Sequence, residues 1–383
     1  MARIYLDHAA TTPTRHEVVE AMLPYYSDTY GNPSSLHSEG RAAREAVEEA
    51  RWQVASLIGC EPQEIVFTSG GTEADNLAIK GIARANRDRG NHIITTTIEH
   101  HAVIEACQSL VDEGYEVDHV PVDAYGVVDP GDIETAIMDR TILVSVMHAN
   151  NEIGTIEPIE EIAAMACRRG ICFHTDAVQS AGRVPINVGE SGVDLLAMSA
   201  HKMYGPKGIG ALFIRRGTKI LPLLHGGAQE LGLRSSTENV PGIVGFGRAA
   251  ALAREEMAAE SARQASLRDR LIRGLLEQIE GIRLNGHPSN RLPNNVNIGV
   301  DSAEGQSMAV MLDAEGIAVS TGSACNSGVA SVSHVLQAIG LPMDMARGSL
   351  RFTLGRSNSE EDVQRVLDVL PRIVARLRSL YAL

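Results

Sequence analysis

The chain of 383 residues is 44% hydrophobic and 21% charged, values that exclude a disordered protein or a disulfide scaffold and leave room for two or three domains of about 150 residues. A formal net charge of −14 and only 4% aromatic residues argue against a broad nucleic-acid-binding surface. No stretch approaches the ~18 apolar residues of a membrane span, and the first residues lack the apolar run of a signal peptide. Five widely spaced cysteines without a CxxC pair favour a reducing compartment. We therefore expect a folded cytoplasmic protein with no membrane partner and no direct nucleic-acid partner.

Alternating strand and helix patterns between about residues 62 and 214 predict a mostly parallel sheet covered by helices. The predicted strands run, in chain order, from Ile65 to Thr68, His92 to Thr97, Val117 to Pro121, Ile142 to Met147, Ile171 to Asp176, Leu195 to Ser199 and Gly210 to Ile214. The helices predicted between them run from Thr72 to Arg89, His100 to Glu113, Asp132 to Met138 and Ile159 to Arg168. Sheets of this kind bind ligands beyond the carboxyl ends of their strands, so the candidate chemistry is expected there.

The region after Pro241 has a different pattern. An Ala/Glu/Arg/Leu-rich stretch predicts a connecting helix to about Ile279, and Pro241 suits its first turn. Gly245-Phe-Gly-Arg-Ala-Ala fits a dinucleotide-binding fingerprint, but no convincing strand precedes it, so close helix packing is the preferred explanation. Ser359 begins a capping box for a last helix, which Pro371 is expected to kink or restart. The smaller α+β unit between these helices has predicted strands from Asn295 to Val300, Ile317 to Val319 and Ser349 to Leu354.

Two strand ends carry residues suited to an aldehyde cofactor. Lys202 lies in Ser199-Ala-His-Lys-Met-Tyr-Gly, where a partly desolvated amine can form a Schiff base, although a lone lysine beside a turn is more often a surface residue. Asp176 and Gln179 lie in His174-Thr-Asp-Ala-Val-Gln. A buried carboxylate can pair there with the protonated pyridine nitrogen of pyridoxal phosphate, and a helix N-cap is the equally probable alternative.

Three further strand ends complete the pattern. Gly70, Gly71 and Thr72 precede a helix, and this combination suits a phosphate dianion, although it also fits an ordinary strand-to-helix turn. His100 can lie on an aromatic cofactor and move protons, or simply cap a helix. Asn151 supplies a hydrogen-bonding amide. Each signal is weak alone, but their shared position at the strand ends of one sheet makes coincidence the poorer explanation.

Seven segments with these residues occur in one order along the chain. They are Tyr5-Leu-Asp-His-Ala-Ala-Thr-Thr-Pro, Tyr30-Gly-Asn-Pro-Ser-Ser, Ile65-Val-Phe-Thr-Ser-Gly-Gly-Thr-Glu, Asn150-Asn-Glu-Ile-Gly, His174-Thr-Asp-Ala-Val-Gln, Ala200-His-Lys-Met-Tyr-Gly-Pro-Lys-Gly and Gly322-Ser-Ala-Cys. Together they resemble the NifS/IscS-type cysteine desulfurases from about residue 4 to the C-terminus. The resemblance implies a homodimer that uses pyridoxal 5′-phosphate.

The implied fold class is α/β and aspartate-aminotransferase-like, also called fold type I. A large cofactor-binding domain with a mostly parallel seven-stranded sheet is expected at residues 15–255. Residues 1–14 and 256–383 are expected to form the smaller α+β domain.

The resemblance also implies site roles. Lys202 would carry the cofactor as a Schiff base, Asp176 would pair with the pyridine nitrogen, Gln179 would bond the ring hydroxyl and His100 would stack on the ring. Asn151 would contact cofactor and substrate. The residues expected at the phosphate are Gly71, Thr72, Ser199 and His201, with Thr237 from the neighbouring subunit. Arg351 would bind the substrate carboxylate through its planar fork.

Cys325 is the candidate sulfur nucleophile. It lies in a Gly/Ala/Ser/Thr-rich segment, about residues 320–331, whose composition predicts mobility, so the thiolate could enter the cofactor site and carry a persulfide out. An idle surface thiol is the alternative without the other motifs. Small core residues are predicted at the remaining cysteines, Cys60, Cys107, Cys167 and Cys172.

The predicted activity is desulfuration of L-cysteine to L-alanine, with Lys202 and His100 moving protons and Cys325 taking the sulfur. The acceptor would be a protein such as an iron–sulfur scaffold or a thiolation enzyme, and no metal site is expected. Selenocysteine lysis or transamination on the same scaffold remains an alternative. A non-catalytic sulfur-relay protein is a rival of another class, although the intact Lys202, Asp176 and Cys325 speak against it.

Overall fold

The computed structural model describes residues 3–321 and 332–381. The strands in these ranges are β1 (Ile4–Tyr5), β2 (Ile65–Thr68), β3 (His92–Thr96), β4 (Glu116–Val120), β5 (Thr141–Ser145), β6 (Cys172–Asp176), β7 (Leu195–Ser199), β8 (Gly210–Ile214), β9 (Ile282–Asn285), β10 (Asn295–Val300), β11 (Ile317–Ala318) and β12 (Ser349–Thr353). The helices are α1 (His16–Met22), α2 (Pro24–Ser27), α3 (Ser38–Ile58), α4 (Gly71–Ala85), α5 (His101–Val111), α6 (Pro130–Ala136), α7 (Ile159–Arg168), α8 (Val188–Ser191), α9 (Val240–Gln278), α10 (Gly305–Ala314), α11 (His334–Ala338), α12 (Met343–Arg347) and α13 (Glu360–Tyr381). None of these helices is both long and apolar enough to cross a membrane.

The central sheet has seven strands in the order β2-β8-β7-β6-β5-β3-β4. Strand β8 runs antiparallel to β2 and β7, and the other neighbours are parallel. The predicted α/β class and mostly parallel seven-stranded sheet are confirmed. Several strands are buried along their whole length, which explains why they are near-continuous apolar and β-branched runs in the sequence.

A second, three-stranded sheet has the order β12-β10-β9, and its pairs are antiparallel. Strand β1 pairs with β11 in parallel, so the start of the chain joins this later part of the fold. Two separate hydrophobic clusters lie along α9: Phe246 and Ala250 pack with the core that includes the central-sheet residue Phe213, whereas Leu271 and Leu275 pack with the core that includes Phe352 of the small sheet. On this basis we propose that the domain boundary near residue 255 lies within α9.

Helix α9 packs closely on the N-terminal helices, which were not predicted. A Cβ on Gly247 would lie 2.6 Å from Cα of Ala50 in α3, and one on Gly245 would lie 2.6 Å from Sδ of Met22. The Gly245–Gly247 pattern therefore serves close packing of helices, as predicted, and not a dinucleotide site.

The C-terminal helix α13 confirms one prediction and corrects another. Ser359 Oγ accepts from the amide of Asp362 at 3.3 Å, and the carboxylate of Asp362 accepts from the amide of Ser359 at 3.2 Å, so the capping box forms. Of the two outcomes expected at Pro371, the restart is wrong, because α13 is one helix through that residue, and the kink stays a prediction. Buried residues before and after the proline, including Leu370 and Val374, hold both halves against the same core.

Candidate active site

An open cleft of about 280 Å³ lies at the carboxyl ends of the central strands, close to the lower end of the roughly 300–1,000 Å³ of small-molecule sites. Ten of the eleven predicted site residues that the structure describes line it, and Thr237 is the exception. The residues around the cleft are Ala9, Ala10, Gly71, Thr72, Asp75, His100, Met147, Asn151, Asp176, Val178, Gln179, Ser199, His201, Lys202 and Arg351.

The amine of Lys202 lies against the N-terminal segment. It follows β7 in a short 3₁₀ turn, Ala200–Lys202, and its Nζ donates to the carbonyl oxygens of Ala9 and Ala10, the latter at 2.8 Å. Gln179 Nε2 also donates to the Ala9 carbonyl, at 3.0 Å. Backbone carbonyls of one short segment thus hold two of the predicted cofactor ligands.

Two buried carboxyl groups form the floor of the cleft. Asp176 ends β6, its Oδ1 accepts from the amide of Val178 at 2.8 Å, and burial raises its pKa while the charges of His100 and Lys202 lower it. Burial also raises the pKa of Asp75, with the Asp176 charge adding to the effect. Oδ1 of Asp75 accepts no hydrogen bond from the described part of the chain and lies 3.5 Å from Nε2 of His174. Two neighbouring buried acids favour a cationic ligand group beside them.

The N-terminus of α4 forms the opposite end of the cleft. A Cβ on Gly71 would lie 2.6 Å from Cγ2 of Val178, so only glycine lets the first turn approach this closely. Ser199 and His201 face the same region, and Nδ1 of His201 lies 3.1 Å from Oγ1 of Thr11. Burial lowers the pKa of His201 to about 4, so the ring is neutral near pH 7. Free amides of a helix start and neutral polar groups suit an anion such as a phosphate.

His100 is the N-cap of α5 and also lines the cleft. Its Nδ1 accepts from the amide of Ala102 at 3.1 Å, an arrangement that assigns the ring proton to Nε2. Burial lowers the pKa of His100, which the Asp176 charge opposes and the Lys202 charge reinforces. The predicted helix cap is therefore confirmed, and the predicted contact with an aromatic cofactor stays a prediction.

Arg351 approaches the cleft from β12 of the small sheet. Its Nη1 donates to the carbonyl oxygen of Asn151 at 2.9 Å, and its Nη2 donates to Oδ1 of Asp7 at 3.0 Å. The side chain is buried, with 4% of its surface exposed, and Nε has no hydrogen-bond partner among the described residues. The guanidinium is thus held in the cleft with donors left for a carboxylate.

Of the described site predictions, Thr237 lies elsewhere. Thr237 is exposed and does not line the cleft of its own chain. Its segment is tied to the start of α4, since Nε of Arg234 donates to the carboxylate of Glu73 at 2.8 Å. Cys325 lies outside the described residues.

One cysteine prediction needs correction. Cys107 is buried and Cys60 and Cys172 are half-buried, but Cys167 is exposed in the last turn of α7. The helix buries Ile162 and Ala166 on one face, and Cys167 follows on the other. The amphipathic period of this helix could have shown that orientation.

Some cleft residues were not predicted. Asp75 lies one helical turn after Gly71 and Thr72, so the period of α4 could have placed it on the same face. Ala9 and Ala10 act through backbone carbonyls, for which residue type carries no signal. They belong to the motif Tyr5-Leu-Asp-His-Ala-Ala.

The class-V aminotransferase family matches residues 4–366. The chain belongs to this family. The cysteine desulfurase IscS of Dictyoglomus turgidum is 55% identical over 377 residues, which cover 98% of this chain and 96% of that protein. Among solved structures, a NifS-like protein superposes with a TM-score of 0.90 at 38% identity over 99% of both chains. SspA in complex with cysteine superposes with a TM-score of 0.82 at 38% identity, covering 92% of this chain and 98% of that one.

Members of this family are enzymes that depend on pyridoxal 5′-phosphate, and the chain is such an enzyme with the corresponding fold type I. The residues around the cleft also fit this cofactor. Gly71 leaves backbone space that a Cβ would fill, at the end suited to a phosphate. The buried acids Asp176 and Asp75 suit a protonated ring nitrogen, and Lys202 brings an amine to the same space.

Proposed function

We propose that the enzyme is a cysteine desulfurase, which converts L-cysteine to L-alanine and leaves the sulfur as a persulfide on Cys325. The observation that carries the proposal is the meeting, in one cleft, of the Lys202 amine, the buried Asp176 carboxyl and the Arg351 guanidinium. The first two come from the central sheet and the third from the small sheet. A lone amino-acid substrate needs these three functions: covalent attachment, electron withdrawal and recognition of its carboxylate.

Pyridoxal 5′-phosphate, when bound, supplies an electrophilic aldehyde carbon and a ring that withdraws electrons. Lys202 would join the aldehyde, Asp176 would hold the ring-nitrogen proton and His100 would lie on the ring. Gln179 and Asn151 would bond the ring substituents. The phosphate would be held by Gly71, Thr72, Ser199 and His201.

The residues of the chain then have separate proton roles. The Lys202 amine, once freed, is a base in the same cleft as the Asp176 carboxyl, and the carbonyls of Ala9 and Ala10 accept hydrogen bonds from it there. His100 offers the proton on Nε2, because its Nδ1 is engaged by the Ala102 amide. We therefore assign proton removal to Lys202 and proton donation to His100.

Sulfur transfer is assigned to Cys325. Its thiolate would attack the substrate sulfur, so that a sulfur–sulfur bond forms as the carbon–sulfur bond breaks, and the electron pair of the broken bond stays with the carbon that becomes the alanine methyl group. The persulfide would pass to an acceptor protein, such as an iron–sulfur scaffold or a thiolation enzyme. The absence of a CxxC pair supports a cytoplasmic location for this chemistry.

We also propose that the enzyme is a homodimer in which Thr237 completes the phosphate site of the neighbouring subunit. The exposure of Thr237 and the Arg234–Glu73 ion pair support this, because they fix an outward-facing segment beside the helix that starts the phosphate site. Light scattering should give the mass of a dimer, and Thr237→Ala should weaken cofactor affinity. A monomer with full cofactor affinity would contradict the dimer proposal.

The activity is tested by measuring alanine and sulfide from L-cysteine and a reductant. The wild-type enzyme should form both in equal amounts and no keto acid. Cys325→Ser should keep the cofactor absorption but lose sulfide release, whereas Cys167→Ser, a matched change at the exposed cysteine, should keep full activity. Keto-acid formation would support transamination instead, and unchanged sulfide release by Cys325→Ser would contradict the persulfide step.

A further inference from the structure

The buried guanidinium of Arg351 already has an anionic partner inside the protein. Oδ1 of Asp7 accepts from its Nη2 at 3.0 Å, while Nη1 is engaged by the Asn151 carbonyl at 2.9 Å. The two residues are 344 positions apart in the chain. They meet because Asp7 follows β1 and forms a bridge with Thr353 at the end of β12.

The pair is placed where an amino-acid carboxylate must also bind. Arg351 lines the cleft and its side chain is 4% exposed, whereas the side chain of its partner Asp7 is 21% exposed. A carboxylate that docks on the two outer nitrogens of Arg351 has to share Nη2 with Asp7. Two like charges on one buried guanidinium repel each other, so each weakens the other's binding.

We propose that Asp7 is an internal competitor of the substrate carboxylate: it neutralises Arg351 in the empty cleft and lowers the affinity for both amino-acid substrate and amino-acid product. This inference rests on the proposed function, because it concerns the substrate carboxylate that Arg351 would bind. Asp7 acts only through Arg351 and is a positioning residue, not a catalytic one. Its consequence is that the product, which carries the same carboxylate as the substrate, is released more readily.

Asp7→Asn isolates the charge, since asparagine keeps the oxygen that accepts from Nη2. The probe is L-alanine, titrated into the cofactor-loaded enzyme and followed by the change in cofactor absorption. We expect its Kd to fall about three- to tenfold, because a like charge is removed from beside Arg351. Ethylamine, which lacks only the carboxylate, should bind both proteins equally. The KM for L-cysteine should fall with the Kd for L-alanine, and kcat should not rise.

Two controls separate charge competition from a structural effect. Asp313→Asn removes the acidic partner of Arg3, which lies on the same N-terminal segment as Asp7. This pair is exposed and does not line the cleft, so the affinity for L-alanine should be unchanged. In an Arg351→Gln background, Asp7→Asn should have no effect on L-alanine affinity, because the shared guanidinium is gone. If Asp7→Asn folds poorly by its melting temperature, Asp7→Ser tests the same loss of charge.

An unchanged or raised Kd for L-alanine in a folded Asp7→Asn enzyme would overturn the competition and show instead that Asp7 merely supports Arg351. A wild-type enzyme whose cofactor absorption responds neither to L-alanine nor to L-cysteine would overturn the proposed function itself. The two failures are therefore distinct.

Discussion

Two buried arginines, Arg51 and Arg351, differ in how completely their guanidinium groups are hydrogen-bonded. Arg51 in α3 makes two hydrogen bonds of 2.7 and 2.8 Å to the carboxylate of Glu230, donates to the Ile65 carbonyl and stacks on the Phe67 ring at 4.8 Å. Glu230 also accepts from the Phe67 amide at 2.7 Å. Arg351, by contrast, makes one hydrogen bond to the carboxylate of Asp7, and its Nε has no partner in the described part of the chain.

This difference separates a structural ion pair from one that can receive a ligand. Around Arg51 the charges and hydrogen bonds are matched within the protein, so a change there costs stability. Arg351 and Asp75 are buried as deeply, but each has an atom without a partner among the described residues, so the cleft gains from a charged ligand. In the cleft, Arg351 and Asp75 thus combine deep burial with an atom that has no partner among the described residues.

The largest expected effect is at Lys202. Lys202→Ala should lower turnover of L-cysteine by about a thousandfold or more, because the amine that attaches the cofactor and moves protons is lost. The free energy of unfolding should change little, as the side chain contributes hydrogen bonds only at the cleft surface. Steady-state assays and denaturant unfolding measure the two effects. A variant that turns over at half the wild-type rate would refute the assignment.

At the Arg51–Glu230 pair, a substitution should change the stability of the fold and not the turnover of L-cysteine. Glu230→Gln leaves the Arg51 charge buried and should lower the free energy of unfolding by about 3–5 kcal/mol. The double variant Arg51→Met, Glu230→Leu should recover much of this loss, because no charge then remains buried. Urea denaturation distinguishes the two, and a double variant less stable than Glu230→Gln would contradict the explanation.

Arg351→Lys should act on substrate binding. Lysine keeps the charge but lacks the planar fork, so we expect KM for L-cysteine to rise about tenfold or more with a smaller change in kcat. Arg365→Lys, in a surface pair with Glu315, is the matched control and should leave both constants unchanged. An unchanged KM in the Arg351→Lys enzyme would contradict the assignment of Arg351 to binding of the substrate carboxylate.

Glu157 is a buried acid away from the cleft, and its titration should affect the stability of the fold. Its Oε2 accepts from the Val128 amide at 2.9 Å, its Oε1 has no partner in the described residues, and burial raises its pKa to about 8. A carboxyl whose pKa is raised on folding stabilises the fold when protonated, and this contribution is lost as pH rises from about 4.5 to 8. Glu157→Gln should therefore raise the free energy of unfolding by roughly 1–3 kcal/mol at pH 9 and change it little at pH 5. Equal effects at both pH values would exclude titration as the cause.

The sequence predicted the central sheet well because most of its strands are buried apolar and β-branched runs. The bounds of β2, β7 and β8 agree with the prediction, and nine of the ten cleft residues meet because strands of one direction bring their carboxyl ends to one edge, whereas Arg351 comes from the small sheet. These positions follow from local pattern and known motif order.

Other features depend on contacts between distant segments and had no local signal. The Asp7–Arg351 pair and the carbonyls that hold Lys202 arise from the N-terminal segment crossing to both sheets. The uninterrupted helix at Pro371 follows from packing on both sides of the proline, which outweighs the loss of one backbone hydrogen bond. Helices α1, α2 and α3 were missed although α3 is long, and their relation to α9 is visible only in three dimensions.

The most direct test of the account is the mass of each cysteine-containing peptide after one turnover of the cofactor-loaded enzyme with L-cysteine, without reductant and with thiols blocked at the end. The account predicts the mass of one added sulfur atom on the peptide with Cys325, and none in Lys202→Ala. Added sulfur on the exposed Cys167 instead, or formation of L-alanine with no sulfur on Cys325, would contradict it.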